Sequence, residues 1–126
     1  MATQIRDVVE QYVKLVASGP IEDIVELYAP DAVVEDPVGT PPKQGHAAIR
    51  EFYEMLTPLD RETELRPENI RIAGNAAAFS FTVVTTVGEQ RIVVSPIDVM
   101  EFDDEGRICR MRAYWGEDNT RVDRVE

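Results

Sequence analysis

A chain of 126 residues with a formal net charge of −11 suits one domain around one core, and the charge argues against nucleic acid or an anionic membrane surface as the main partner. A single cysteine, Cys109, excludes an internal disulfide framework and fits a reducing compartment. The polar start from Thr3 to Asp7, and the lack of any run able to cross a bilayer, lead us to expect a soluble cytoplasmic protein.

Residues 4–17 carry Ile5, Val8, Val9, Tyr12, Leu15 and Val16 at helical spacing, with Thr3 as the expected cap. Gly19-Pro20 stops this helix. A shorter helix is expected from Ile21 to Tyr28, ended by Pro30-Asp31, with Ile24, Val25 and Tyr28 facing inward. Tyr12 and Tyr28 both lie on apolar faces; an inward tyrosine is first of all a core residue with a satisfied hydroxyl.

The run Ala32-Val33-Val34-Glu35-Asp36-Pro37 then reads as a strand. Alternation puts Ala32, Val34 and Asp36 on one face and Val33 and Glu35 on the other, so Asp36 points where the apolar residues point. Pro37 holds Asp36 extended and ends the strand. Residues 38–45 read as a loop, and a third helix follows from His46 to Leu56 with Ile49, Phe52, Tyr53 and Leu56 on one side. His46, the lone histidine, reads as a capping or surface residue.

Beyond Thr57 the period changes to two, giving strands over 64–73, 76–87, 90–102 and 107–115. Gly74-Asn75 and Gly88-Glu89 have tight-turn residues. In the third of these strands one face carries Val94, Pro96, Asp98, Met100 and Phe102, with Asp98 its only charge. An isolated buried carboxylate either takes a proton or finds a partner. Residues 116–126 are expected to be a charged tail, poorly ordered or an interface strap. Helices followed by a meander of strands predict an α+β domain over 1–126, with the helices covering a strongly curved sheet and a pocket inside the cone. Tyr12, Tyr28, Asp36, Tyr53, Asp98 and Trp115 are its expected lining, with Phe81 and Met111.

One histidine and one cysteine make a metal site unexpected, and Asp103-Asp104-Glu105 lacks the spacing of a calcium loop. There is no glycine-rich phosphate loop and no nucleophile–histidine pair worth backing. Acid–base chemistry by carboxyl and phenol groups remains. A glycosidase needs a more polar cleft, and a water-activating hydrolase needs groups to hold the water. Proton abstraction beside a ketone needs one carboxylate and a donor pair for the enolate oxygen, and the apolar setting of Asp98 favours it.

The segments 28–39, Phe52-Tyr53, Ile97-Asp98-Val99-Met100-Glu101-Phe102-Asp103 and Ala113-Tyr114-Trp115 closely resemble bacterial ketosteroid isomerase, within the NTF2-like and SnoaL-like superfamily. The likeness runs from about Tyr12 to Asn119. That enzyme also serves as a general example of pKa tuning. The resemblance implies a cone-shaped NTF2-like fold and a steroid Delta-isomerase with Asp36 as the base and with Tyr12 and protonated Asp98 as donors to the enolate oxygen. It implies that Tyr28 and Tyr53 support Tyr12 through hydrogen bonds. Val38, Phe81, Val83, Met111 and Trp115 would hold a flat apolar ketosteroid, with no cofactor. A homodimer through the outer face bearing Arg110, Arg112 and Tyr114 is implied as well. Two alternatives stand beside it. One is a relative acting on a polyketide or terpenoid, of cyclase or epoxide hydrolase type; the other is a non-catalytic module for apolar ligands.

Overall fold

The computed structural model describes residues 2–56 and 59–124. Three helices lie against a large mixed sheet, the α+β architecture expected from the order of the elements. Helix α1 (Ala2–Ser18) buries Ile5, Val9, Tyr12, Val13 and Val16 along one face. Thr3 lies inside this helix rather than capping it. At its end the Gly19 N–H donates to the Leu15 carbonyl at 2.8 Å. A β-carbon on Gly19 would sit 2.8 Å from the Leu15 Cα, so the tight exit requires glycine.

Helix α2 is shorter than its apolar spacing predicts, covering Ile21–Glu26. Tyr28 is therefore not helical: it opens strand β1 (Tyr28–Glu35), which runs parallel to β7 (Ile108–Tyr114). The Ile108 N–H donates to the Leu27 carbonyl at 2.9 Å, and this bond draws the chain into the sheet one residue before Tyr28. Prolines such as Pro30 are tolerated in a strand where the ladder is irregular, and the register of β1 against β7 shifts between Tyr28 and Val33. Strand β2 (Lys43–Gln44) pairs with β1 inside the segment expected to be loop, and α3 follows over Gly45–Glu54.

The long strands β3 (Asp60–Ala73) and β4 (Ala76–Val87) form a hairpin. The expected single strand over 90–102 divides at Ser95-Pro96 into β5 (Gln90–Val94) and β6 (Ile97–Phe102). Both pair with the same edge of β4, because Pro96 has no N–H for the ladder while its carbonyl still accepts from the Phe81 N–H at 3.4 Å. The tail, expected to be poorly ordered or an interface strap, enters the sheet. A short 3₁₀ turn at Glu117–Asn119 leads into β8 (Thr120–Arg124), which pairs with β5 residue for residue. An open strand edge accepts any backbone, so main-chain hydrogen bonds order a segment whose charged side chains promise no core. Sheet order is β2-β1-β7-β6-β4-β5-β8, with β3 on the other edge of β4.

The core joins the inner faces of α1, α2 and α3 to Ala32, Val34, Phe79, Met100, Phe102, Ile108 and Met111. Ile49 of α3 is wholly buried there, and its truncation to alanine costs about 2–5 kcal/mol.

Candidate active site

Strand parity puts the acids where the alternation predicts. In β1 Ala32 and Val34 are buried while Val33 and Glu35 are half-buried on the other side, and Asp36 continues the inward set. The Asp36–Pro37 peptide is cis. In β6 Asp98, Met100 and Phe102 are buried in alternation with Ile97, Val99 and Glu101. Asp98 faces Phe79 of β4 on one side and Ala113 of β7 on the other.

Asp36 and Asp98 share a cavity of about 270 Å³. Tyr12 and Val16 line it from α1, Phe52 and Tyr53 from α3, and Phe81 and Val83 from β4. Val94 and Pro96 line it beside Asp98, and Trp115 stands next to Asp36. Leu56 adds to the wall after α3, and Arg61 and Thr85 complete the lining from β3 and β4. Apart from Arg61, Thr85 and the acids, the wall is aliphatic or aromatic.

The two carboxyls differ in their partners. The Trp115 indole N–H donates to Asp36 Oδ1 at 2.8 Å. Burial lifts the Asp36 carboxyl above its ordinary value, and that indole bond holds it back by favouring the anion. Asp98 is 2% exposed, and its Oδ1 is buried without a hydrogen-bond partner among the described residues. Burial pushes its carboxyl well up, and the nearby Asp36 charge adds to the shift. Both carboxyls are shifted the same way, and the shift of Asp98 is the larger.

The phenols form a chain. The hydroxyls of Tyr28 and Tyr53 are 2.9 Å apart, and those of Tyr53 and Tyr12 are 3.0 Å apart. Burial, above all, raises all three phenols well above their usual range and keeps them neutral. His46, expected to be a cap or a surface group, has a more definite job. It sits 2.8 Å from the Tyr28 carbonyl through Nε2, which donates to that oxygen and fixes the strand carrying Tyr28 to the start of α3.

Three residues expected in the lining lie outside it. Tyr28 sits behind Tyr53 and joins the cavity only through the phenol chain. Met111 is 0% exposed, paired with Val34 and Met100, and belongs to the core beneath the site. Val38 is 40% exposed and lines a shallow surface depression beyond Trp115. Its N–H donates to the Ala113 carbonyl at 2.9 Å, which lays the chain along the end of β7 instead of over the acids. The sequence pattern begins the strand at Glu64 and so leaves Arg61 outside it. The inward set Arg61, Thr63 and Leu65 was the available signal. Among the described residues, no cluster of three or more His, Cys, Asp or Glu side chains could hold a metal ion, and no helix is long and apolar enough to cross a membrane.

Helices closing over a mixed sheet, with an acid pair in an apolar cavity, define a class: cone-shaped α+β domains of NTF2-like type. Residues 9–111 match the family model of the SnoaL-like domain, and the chain belongs to that family. It is 47% identical over 115 residues to a steroid Delta-isomerase of Nocardioides simplex, covering 91% of this chain and 92% of the relative. It is 28% identical over 117 residues to the epoxide hydrolase LasB of Streptomyces lasalocidi, covering 88% of this chain but 41% of that protein. The solved structure of SalBIII, an epoxide hydrolase/cyclase-like enzyme of pyran ring formation in the polyether salinomycin, superposes with a TM-score of 0.88 at 26% identity. That match covers 96% of this chain and 97% of SalBIII.

Proposed function

We propose that the protein is an isomerase that converts 3-oxo-Δ5-steroids to conjugated 3-oxo-Δ4-steroids, the activity named for its Nocardioides simplex relative. Ionised Asp36 breaks a C–H bond on the carbon between ketone and alkene and takes the proton. The electron pair moves through the carbonyl group onto its oxygen, giving a dienolate. Tyr12 and protonated Asp98 donate hydrogen bonds to that oxygen, where the negative charge develops. Asp36 then returns the same proton two carbons along. Nothing is oxidised or reduced overall, and no cofactor enters.

The observation that carries this reading is the unlike setting of two carboxyls in one apolar cavity: one held by an indole N–H, the other buried with an oxygen that has no partner among the described residues. A base and a neutral donor are what enolisation needs from two otherwise identical groups. If Tyr28 donates to Tyr53 and Tyr53 to Tyr12, the Tyr12 proton is left for the substrate oxygen. Phe81, Val83 and Trp115 would hold the flat rings. Val38 could touch only a substrate that projects past Trp115, and Met111 would act by supporting the floor.

We also read the chain as one domain over residues 1–126 and as a homodimer through the outer face around Arg110, Arg112 and Tyr114, where Arg110 and Arg112 meet Glu35 at 3.7 and 3.4 Å. The unpaired Cys109 supports a cytoplasmic setting.

The test is absorbance of the conjugated enone formed from a 5-ene-3-keto steroid, with Asp36→Asn as the control. Conversion that the variant loses supports the assignment; no conversion by the parent protein rejects it. The likeness to LasB and SalBIII favours a second reading, since an acid and a base can also open an epoxide. Consumption of an epoxide without ketone isomerisation would select it.

A further inference from the structure

The cavity contains one cation that the proposed reaction does not use. Arg61 lies on β3 opposite Thr85 of β4, and both line the cavity. Its Nε and Nη1 are buried with no hydrogen-bond partner among the described residues. The neighbours that act on it electrostatically are Tyr12 and Tyr53, which are neutral and cannot balance its charge. Burial lowers the guanidinium from its ordinary value, as desolvation of an unpaired cation must. Arginine nonetheless stays charged at any ordinary pH. A half-buried guanidinium with two unpartnered nitrogens facing a ligand cavity weakens the fold unless an acceptor arrives with the ligand.

The register fixes where that acceptor would sit. Inward residues of β4 run from Phe79, opposite Asp98, through Phe81 and Val83 to Thr85, opposite Arg61. At the usual strand rise this span is roughly 20 Å. The backbones of Arg61 and Asp98 therefore stand at opposite ends of the row that lines the cavity. The volume of about 270 Å³ is near the lower limit for small-molecule sites, roughly 300 Å³ upward, so a ring ketone seated on Asp98 extends its far end toward the mouth.

We propose that Arg61 is a specificity residue that binds a carboxylate at the end of the substrate remote from the ketone, so that the preferred substrates are ring ketones bearing an acidic side chain. The inference rests on the isomerase reading for the orientation of the ligand. A carboxylate suits the site better than a hydroxyl or a second ketone, because it supplies the charge that the phenols lack. Charged hydrogen bonds are also about twice as strong as neutral ones.

The experiment compares two 3-oxo-4-ene steroids, one with a side-chain carboxylate and one with the same side chain as its methyl ester. Both are product-like, so binding is read without turnover, by quenching of the single tryptophan, Trp115. The native protein should bind the acid more tightly than the ester by roughly tenfold to a hundredfold. Arg61→Leu should reduce that ratio to about one, and Arg61→Lys, which keeps the charge without the planar donors, should give an intermediate value. Equal affinities in the native protein, no binding of either compound, or a ratio unchanged in both variants would overturn the proposal. Conversion of a 5-ene-3-ketone without the acidic side chain, measured in parallel, reports on the isomerase reading separately.

Discussion

Glu35 and Asp36 are neighbours in sequence and carry the same functional group, yet they occupy opposite sides of one sheet. Glu35 faces outward and is flanked by the guanidinium groups of Arg110 and Arg112. Asp36 faces inward and has one indole N–H amid apolar wall. The outer carboxylate is half-buried between two guanidinium groups that meet it at 3.7 and 3.4 Å. The inner one is desolvated and lifted toward the range useful to a base. A shift of one residue along a strand, with no change in chemistry, separates a carboxyl in an ion-paired cluster from one inside an apolar cavity.

The largest effect should come from testing that contrast directly. Asp36→Asn keeps the shape of the group and its place beside Trp115, and kcat should fall by roughly 10³-fold to 10⁴-fold in the enone absorbance assay. Glu35→Gln, one residue away, should leave kcat within about twofold. Asp98→Leu should come next, with kcat reduced by about 10²-fold to 10³-fold and KM little changed, because the donor acts on charge that develops only in the transition state.

Asp98 also allows a test by stability. Its native carboxyl titrates above the unfolded one, whose ordinary value is 3.8. The native state thus binds the extra proton, so this contribution is fully present below pH 3.8 and is lost as pH rises toward the native value. Urea midpoints measured against pH should show that decline in the native protein, and a flatter profile in Asp98→Asn. A smaller effect is expected from Trp115→Phe, which removes the donor favouring ionised Asp36. The acid limb of the kcat/KM profile should move to higher pH. The smallest belongs to Tyr53→Phe, which breaks the phenol chain from Tyr28 while leaving Tyr12 in place. A loss of about threefold to tenfold in kcat would fit the modest value of one hydrogen bond in a network.

Both acids were legible because their strands alternate cleanly: Ala32 and Val34 point the way for Asp36, and Val94 and Pro96 for Asp98. The parity even survives the break at Ser95-Pro96, since β5 and β6 follow the same edge of β4. The roles of Tyr12, Tyr28 and Tyr53 came from family resemblance; nothing in the spacing of three tyrosines announces a hydrogen-bonded chain. Tyr28 was expected on a helix, because four apolar residues at helical spacing cannot report that Leu27 and Ile108 join the backbones there. The charged tail reads as poorly ordered or an interface strap, because side-chain composition is silent about an open strand edge. Arg61 was missed for a related reason: Asp60-Arg61-Glu62 is charged at both parities, so no alternation marks the strand until Thr63 and Leu65.

The decisive measurement is the protonation state of the two inner carboxyls at neutral pH, read from carbon-13-labelled aspartate by NMR. One resonance should report a protonated carboxyl at pH 7 and vanish in Asp98→Asn, while the resonance lost in Asp36→Asn should be that of an ionised group. Two ionised carboxylates at pH 7, or a protonated signal that belongs to Asp36, would contradict the assignment of base and donor.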